Sequence, residues 1–493
     1  MELSREINNF IDEYVIALKE GNAAVFAGAG LSIPSGVVNW KELLRRPASR
    51  LGLDVEKESD LVSLAQYIYN DSKTKTPLTE LINNHFSQTG RINRNHEIIA
   101  ELPIRTFWTT NYDKLIEQAL IQAGKKPDVK KRVNDLAVIK SKRDAVVYKM
   151  HGDVEVADEA ILIKNDYELY EKNNQMFTIA LKGDLVSKTF LFIGFSFEDP
   201  NLEHILSRIK ILLDDHTRTH YYFIKEVLEE DYPDNQKGKE QFQYDKIKQE
   251  LKCVDLERYS IKPLMVKRYE DITTILEVIT ERFNRNNVLI SGSADEFSDY
   301  TVSGIRAQDF IHKLCKTLNQ KEFKVATGFG LGVGSAVING VLEGMEELGT
   351  RNINEHLIMR PFPQYATNGK DISQLWEKYR QQLLSECGIA IFMFGNKIIK
   401  KQDTEEETEV VEANGVIREF DIAVDKNVKV IPIGVTGYAS RKLWEQVIND
   451  FDRYYPDYPY LKDKFIKLGE DGIDFNQLIN IVTDIVIEFR GGE

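Results

Sequence analysis

The sequence predicts an α/β protein with two Rossmann-like domains, each built on a mostly parallel sheet. Three observations support this fold class. The chain has 493 residues, which is enough for two to four domains of ordinary size. Short apolar runs alternate with amphipathic stretches along its length, as in sheets whose parallel strands are connected by helices. Glycine-rich runs follow the first apolar run of each half, where such sheets place their loops.

The first predicted domain covers residues 1–285. Apolar residues recur at helical spacing over residues 7–18, and the short apolar run 23–27 predicts a buried strand directly afterwards. The highly charged segment 229–252 predicts a solvated helix or excursion. The further predicted strands are 105–109, 145–150, 189–194, 220–224 and 263–266.

The second predicted domain covers residues 286–493, because a polar stretch at residues 282–287 is followed at once by a new apolar run. Residues 371–385 show helical spacing between two of its apolar runs. The predicted strands are 288–290, 324–326, 357–359, 389–394 and 428–433. This series predicts a second, complete α/β domain.

The composition of the chain limits the classes of partner that we expect it to bind. The chain has 64 Lys and Arg against 78 Asp and Glu, a net charge of −14, so we expect no nucleic-acid partner. Cys253, Cys315 and Cys387 lie too far apart for a zinc module, so we expect no metal and a reducing, cytoplasmic location. No stretch approaches the roughly 18 apolar residues of a membrane span, so we expect no membrane partner.

The first glycine-rich run is the motif FAGAGLS at residues 26–32. Glycine lets a backbone approach a ligand closely, and a following helix start suits a pyrophosphate. This run is therefore a candidate phosphate-binding loop. A tight turn with no ligand explains this motif equally well.

Three further predicted strands also end in polar or glycine residues. Asn111 and Asp113 follow one of these strands, His151 follows another, and Gly194 and Ser196 follow the third. The carboxyl ends of parallel strands share one crevice, so we expect all of these residues to converge on one ligand. A second interpretation stays open for the first pair: Asn111 as the cap of a helix that starts at Tyr112, and Asp113 as an acid in its first turn.

Read in order, GAGxS at residues 28–32, TxNxD at 109–113, HG at 151–152 and the turn at 194–196 resemble the sirtuin (Sir2) family. The resemblance implies an NAD+ site with Ala29, Gly30 and Ser32 at the phosphates, completed by Gly194 and Ser196. It further implies Asn111 and Asp113 at the nicotinamide ribose and His151 as the catalytic base. Sirtuin deacylases carry a four-cysteine zinc ribbon that this chain lacks, so NAD+ cleavage is expected rather than protein deacylation.

The second domain has two glycine-rich runs after neighbouring predicted strands. Ser291 and Gly292 belong to the first, and Gly330 and Gly332 to the second, which reads TGFGLGVGSA. Two such loops suit a ligand with more than one phosphate. The region resembles the SLOG family of nucleotide-sensing domains and lacks the PGGxGTxxE element of that superfamily's hydrolases, so a sensor is expected.

Together the two regions resemble the Sir2–SLOG effectors of bacterial Thoeris anti-phage defence. That resemblance implies an NAD+ glycohydrolase that forms ADP-ribose and nicotinamide and depletes NAD+. It implies activation by a cyclic ADP-ribose isomer made by a TIR-domain partner protein. It also implies a homotetramer that assembles further.

The same resemblance, through the blocks LWEKYR, FGNK and REF, places Arg380, Lys397 and Glu419 at the signal. Arg and Lys suit the phosphates of such a ligand, and a carboxylate suits a ribose hydroxyl. Ordinary surface charges are the alternative for Arg380 and Glu419. Two other functions also stay open for the whole chain, a sirtuin-type protein deacylase and a non-catalytic nucleotide-binding scaffold.

Overall fold

The structure is a computed structural model that describes residues 3–58, 60–86, 90–195, 197, 206, 207, 210, 218–295, 297, 306–363, 365, 371–400 and 408–491. The chain divides into two compact units, Met1–Thr280 and Glu281–Glu493, called here the N-terminal and C-terminal units. Each unit has its own sheet and its own hydrophobic core. The predicted domain boundary between residues 285 and 286 stays a prediction.

The N-terminal unit is built on one parallel sheet. Its described part has seven strands: β1 (Ala23–Ala27), β2 (Thr106–Thr109), β3 (Pro127–Lys130), β4 (Ala145–Lys149), β5 (Thr189–Ile193), β6 (His220–Lys225) and β7 (Ile261–Val266). All neighbours run parallel, in the order β3-β4-β2-β1-β5-β6-β7. The predicted parallel sheet is confirmed.

Strand β3, at one edge of this sheet, was not predicted. Its sequence, Pro-Asp-Val-Lys, contains no apolar run. Lys130 and Asp128 are both buried and form an ion pair, with 3.0 Å between Nζ and Oδ2. Lys130 also donates to the carbonyl oxygen of Asp135 at 2.9 Å. A short strand with proline and two paired charges carries no periodic signal that identifies it.

Helices connect the strands of the N-terminal unit. The first is capped by Ser4, whose Oγ accepts from the N–H of Ile7 at 3.2 Å, and it buries the apolar face that the sequence predicts. The predicted charged helix is confirmed as Gln236–Glu257. The described helices of the unit are Arg5–Lys19, Ala29–Ser32, Trp40–Arg50, Leu61–Ser72, Thr76–Phe86, Arg94–Glu101, Leu115–Gln122, Lys164–Glu168, Tyr170–Asn173, Gln175–Ser187, Gln236–Glu257 and Glu270–Asn284, which continues past the unit's last residue.

The C-terminal unit has a smaller parallel sheet. Its described strands are β8 (Asn287–Ser293), β9 (Lys324–Thr327), β10 (Leu357–Met359), β11 (Ile389–Phe394) and β14 (Lys429–Pro432), in the order β10-β9-β8-β11-β14. An antiparallel ribbon of β12 (Asn396–Lys400) and β13 (Thr408–Glu412), which the sequence did not predict, follows β11. The predicted second parallel sheet is confirmed.

Helices again separate most of these strands. The predicted helix over residues 371–385 is confirmed as Ile372–Ser385. The described helices of the unit are Ala307–Gln320, Gly334–Glu347, Ile353–His356, Ile372–Ser385, Asn414–Asp425, Tyr438–Asn449, Phe451–Tyr454, Lys462–Lys467 and Phe475–Arg490. In the described part of the chain, every helix is too short or too polar to cross a lipid bilayer.

In each sheet, the strand that comes first in the sequence lies inside the sheet, and the chain builds outward from it first on one side and then on the other. Strand β1 pairs with β2 on one side and with β5 on the other. Strand β8 likewise pairs with β9 and with β11. In open parallel sheets, ligands bind outside the carboxyl ends of the strands at the point where the strand order reverses in this way. The loops after these strands are therefore where a site is expected in each unit.

Candidate functional site

The first glycine-rich loop packs directly against the end of β5. The N–H of Gly28 donates to the carbonyl of Ile193 at 2.9 Å, and the N–H of Gly30 donates to the carbonyl of Gly194 at 2.8 Å. Gly194 has φ +65°, and a Cβ there would lie 2.1 Å from the backbone N of Leu31. Close backbone packing thus explains these glycines by itself, and their contact with phosphates stays a prediction.

Asn111 ties the loop after β2 to this glycine loop. Its Nδ2 donates to the carbonyl of Gly28 at 3.0 Å and to Oγ of Ser32 at 3.2 Å. Its backbone N–H donates to Oγ1 of Thr109 at 3.0 Å. The side chain is buried, with 8% of its surface exposed, so its orientation is fixed before any ligand arrives.

The alternative role of Asn111 as a helix cap is wrong. The helix after β2 begins at Leu115, not at Tyr112, and Asp113 binds its first turn, with Oδ1 accepting from the N–H of Leu115 at 3.0 Å. Asp113 therefore lies before the helix and not in its first turn, where the acid is Glu117, although its carboxylate accepts from the first helical N–H. Its other oxygen, Oδ2, is buried and has no hydrogen-bond partner in the described part of the chain, which leaves one acceptor for a ligand.

His151 lies in a tight turn just after β4. Only 4% of the residue is exposed, and its ring meets the ring of Tyr167 edge-on, with 5.5 Å between centroids. Its carbonyl accepts from the N–H of Ile161 at 3.0 Å. Gly152 has φ +97°, and a Cβ there would lie 3.2 Å from Cα of Ala160, so the turn needs glycine at this position.

These loops surround one cavity of about 1540 Å³ in the N-terminal unit. Its wall combines polar strand-end residues with aromatic ones such as Trp40, Phe86 and Phe195, a mixture typical of small-molecule sites. Ser196 lies outside the described residues. The predicted residues on the wall are Ala29, Gly30, Ser32, Asn111, Asp113, His151 and Gly194. The structure therefore brings all the described members of the predicted set together.

The sequence interpretation missed a buried charged cluster next to this cavity. Lys149, the last residue of β4, lies with Glu117 and Asp153, and Nζ of Lys149 is 3.4 Å from Oε1 of Glu117. Burial raises the pKa of Glu117, although the ammonium of Lys149 opposes that shift. A lysine at the end of an otherwise apolar strand, four residues before an aspartate, is the signal in the sequence that would have identified this cluster.

In the C-terminal unit the glycine loops also pack on each other. A Cβ at Gly330 would lie 2.0 Å from the carbonyl oxygen of Gly292, and one at Gly332, which has φ +71°, would lie 2.1 Å from that of Ala294. The N–H of Ala294 donates to the carbonyl of Leu331 at 2.8 Å. The loops after β8 and β9 therefore form one continuous surface.

Two of the predicted signal-binding residues, Ser291 and Arg380, contact a third, Glu419, beside these loops. Oγ of Ser291 donates to Glu419 at 2.6 Å, and Nε of Arg380 lies 3.4 Å from the other carboxylate oxygen. The guanidinium of Arg380 also lies over the ring of Phe362, 5.2 Å from its centroid. Burial raises the pKa of Glu419, and Ser291 and Arg380 oppose that shift. The surface-charge alternative is wrong for Glu419, which is buried.

Lys397 lies on β12, outside this group, and is exposed. The preceding residue, Asn396, joins the ribbon to the end of β8: its carbonyl accepts from Oγ of Ser293 at 2.9 Å, and its Oδ1 accepts from the N–H of Asp295 at 3.0 Å. The residue next to Lys397 in the sequence therefore contacts the loop after β8. Its contact with a signal stays a prediction.

Among the described residues, no group of three or more His, Cys, Asp or Glu side chains has the geometry of a metal site. Cys315 and Cys387 are buried, and burial raises the pKa of both thiols, so neither is a reactive thiolate.

Comparisons with known proteins find different families in the two parts of the chain. A profile described as the Sir2- and TIR-associating SLOG family matches residues 271–489, and one described as a SIR2-like domain matches residues 105–248. The chain is 52% identical to "NAD(+) hydrolase ThsA" of Cytobacillus dafuensis, over 98% of this chain and 96% of that protein. Proteins of the same name from Bacillus cereus and Acinetobacter baumannii are 45% and 44% identical, over 99% and 97% of this chain and 99% and 98% of their own lengths.

Proposed function

The chain belongs to the ThsA family of NAD(+) hydrolases, and on that premise we propose that it cleaves NAD+ to ADP-ribose and nicotinamide in the cavity of its N-terminal unit. One observation carries the proposal. Residues from the ends of four strands, β1, β2, β4 and β5, line one cavity, and they include both a fixed amide and a histidine.

The chemistry required is mainly positioning. Nicotinamide leaves NAD+ as a neutral base, because the electron pair of the glycosidic bond moves onto the positively charged nicotinamide ring. The leaving group therefore needs no strong acid to protonate it. Water forms the new bond to the ribose carbon, and His151 accepts its proton. Nδ2 of Asn111 is held by Gly28 and Ser32, so its Oδ1 is the atom offered to water or to a ribose hydroxyl. Asp113 Oδ2 is a second acceptor for a ribose hydroxyl.

We further propose that the C-terminal unit senses a cyclic ADP-ribose isomer supplied by a TIR-domain partner. Arg380 and Lys397 would bind its phosphates, Glu419 and Ser291 a ribose hydroxyl, and the loops with Gly292, Gly330 and Gly332 would approach its pyrophosphate closely. Activation requires that the signal bind the active arrangement of the protein more tightly than the resting one. The proposed outcome is depletion of NAD+ during phage infection, by a homotetramer that assembles further.

Nicotinamide release from NAD+, followed chromatographically, tests the proposal on the full chain, alone and with each member of a panel of cyclic ADP-ribose isomers. We expect one isomer to switch cleavage on. We expect His151→Ala to reduce kcat by about 100- to 10,000-fold, the usual contribution of a general base. His85→Ala removes an exposed histidine from the same unit and serves as the matched control.

Two results would replace the proposal. Cleavage that occurs only when an acylated peptide is added would indicate a sirtuin-type deacylase. Binding of NAD+ and of an isomer without any turnover would indicate a nucleotide-binding scaffold. Full activity in His151→Ala would remove the histidine from the mechanism.

A further inference from the structure

A buried lysine connects two of the loops that form the cavity. Lys149 ends β4, and its side chain is 0% exposed. Its Nζ donates to the carboxylate of Asp153 at 2.6 Å, to the carbonyl oxygen of Tyr112 at 3.3 Å, and to the carbonyl oxygen of Asp113. These three acceptors use all three donors of an ammonium group. Two of the acceptors lie in the loop after β2 and the third in the loop after β4.

Neighbouring charges keep this lysine ionised. Burial opposes its charge, but the carboxylates of Glu117 and Asp153 outweigh burial and raise the pKa of Lys149 above its ordinary value. Asp153 also pairs with Lys131, whose Nζ lies 3.2 Å from Oδ1, and Lys131 in turn pairs with Glu155. The ammonium therefore keeps its three hydrogen bonds across the neutral pH range.

Stability alone is a weak explanation for this arrangement. Buried ion pairs are often no more stabilising than apolar residues of similar volume. The position of the cluster is more informative, because Tyr112 directly follows Asn111 and because His151 lies between Lys149 and Asp153 in the sequence. The N–H of Val154 also donates to the carbonyl of Tyr112, at 3.0 Å. This carbonyl therefore accepts two hydrogen bonds, one from Lys149 at the end of β4 and one from the loop that follows β4.

We propose that Lys149 is a positioning residue that holds the loop of Asn111 against the loop of His151, so that both side chains meet NAD+ in one fixed geometry. The proposal rests on the proposed NAD+ hydrolase function. Lys149 acts through the two loops, because it is not among the described residues that line the cavity. A displacement of about 1 Å in a reacting group can reduce a rate about 100-fold, so such a tether has a large kinetic effect.

Lys130 offers a matched control on the neighbouring strand. It is also a buried lysine at the end of a parallel strand, paired with a buried carboxylate, Asp128, and bonded to backbone carbonyls. Those carbonyls belong to Asp135 and Val138, which are not in the loops of Asn111 or His151. Loss of Lys130 therefore reports the general cost of removing a buried lysine from this sheet.

The test compares the full-length double variants Lys149→Met/Asp153→Asn and Lys130→Met/Asp128→Asn with the unaltered chain. Asn at position 153 keeps the acceptor for the N–H of Glu155, which lies 2.9 Å from Oδ1. The pKa of Glu117, which burial already raises, should rise further when the ammonium of Lys149 is gone, and this favours the neutral carboxyl. Lys149→Arg is a further variant that keeps the charge, but a planar guanidinium cannot reproduce the three contacts of the ammonium.

We expect Lys149→Met/Asp153→Asn to reduce kcat about 100-fold and Lys149→Arg about 10-fold, with KM for NAD+ changed by less than about 3-fold. The Lys130 control should keep kcat within about 3-fold. Hydrogen exchange gives a readout that needs no activity. The amide of Val154 should exchange at least about 10-fold faster in the Lys149 double variant than in the control.

Each outcome decides the question. An unchanged kcat in both Lys149 variants, or an equal loss in the Lys130 control, overturns the positioning role. Should the double variant not fold, Lys149→Arg alone supplies the kinetic and exchange comparison. Should the unaltered chain cleave no NAD+ with any isomer, the proposed function fails, and an unchanged exchange rate at Val154 would separately overturn the tether.

Discussion

The two units place their candidate sites at the same point of the same kind of sheet, yet the charged and polar side chains of the two sites have different surroundings. In the N-terminal unit, Asn111 and His151 face a cavity of about 1540 Å³, with backbone hydrogen bonds holding their loops from behind. In the C-terminal unit, Ser291, Arg380 and Glu419 bind one another.

This difference matches the two proposed tasks. A catalytic site gains from groups that are fixed before the substrate arrives, because no reorganisation is needed during the reaction. A sensing site gains from internal contacts that a ligand replaces, because the exchange of partners can favour one arrangement over another. An incoming phosphate would compete with Glu419 for Arg380. Three predictions test this comparison.

The largest effect is expected at the catalytic site. Asn111→Ala removes the amide that joins the β2 loop to Gly28 and Ser32, and we expect kcat to fall about 100- to 1,000-fold. A higher activator concentration should not restore the kcat of this variant. Nicotinamide release at saturating activator measures the loss, and Asn70→Ala, at an exposed helical position, is the control. Recovery of the rate at high activator concentration would contradict a catalytic role.

Two buried groups, His96 in the N-terminal unit and Glu419 in the C-terminal unit, should contribute to the pH dependence of stability with opposite signs. In the N-terminal unit, burial lowers the pKa of His96 from 6.5 to about 4, although the carboxylate of Asp113 opposes this. The folded histidine binds fewer protons than the unfolded one, so stability is lost as the pH falls from 6.5 to 4, by about 3 kcal/mol in total. Glu419, whose pKa is raised, binds more protons when folded, so its contribution makes the C-terminal unit less stable as the pH rises.

Calorimetric unfolding between pH 7 and 4.5 checks this expectation for the unaltered chain and for His96→Leu. The variant should lose part of the acid destabilisation, and Glu419→Gln should remove the opposite slope from the C-terminal unit. His85→Leu, at an exposed position, should change neither slope. Equal slopes in His96→Leu and the unaltered chain would show that His96 is not buried in its neutral form.

The smallest effect is expected at the sensing site. Arg380→Ala should raise the activator concentration for half-maximal cleavage by about 10- to 100-fold, the usual cost of a lost charged hydrogen bond, and leave the maximal rate unchanged. Arg418→Ala is the control, because Arg418 is exposed and pairs with Glu377 at 2.7 Å. A loss of maximal rate in Arg380→Ala would remove the contrast between the two sites.

Much of the fold follows from patterning alone. Buried parallel strands form continuous apolar runs, so the eleven predicted runs all correspond to strands, from β1 and β2 through β11 and β14, whereas the charged edge strand β3 and the ribbon β12–β13 were missed. The seven described candidate residues line one cavity because strand ends share one edge of a sheet, and their contacts with NAD+ stay a prediction.

What the sequence by itself determined is which residues end the strands, because burial and chain direction leave a periodic record in the amino acids. What only the tertiary structure decided is which of those residues share a hydrogen bond. Examples are the start of the helix at Leu115, the contacts of Glu419 with Ser291 and Arg380, and the three hydrogen bonds of Lys149. Each depends on positions that are distant in the sequence or that follow no periodic pattern. Such contacts depend on distances of a few ångströms between loops, and no pattern of neighbours along the chain records them.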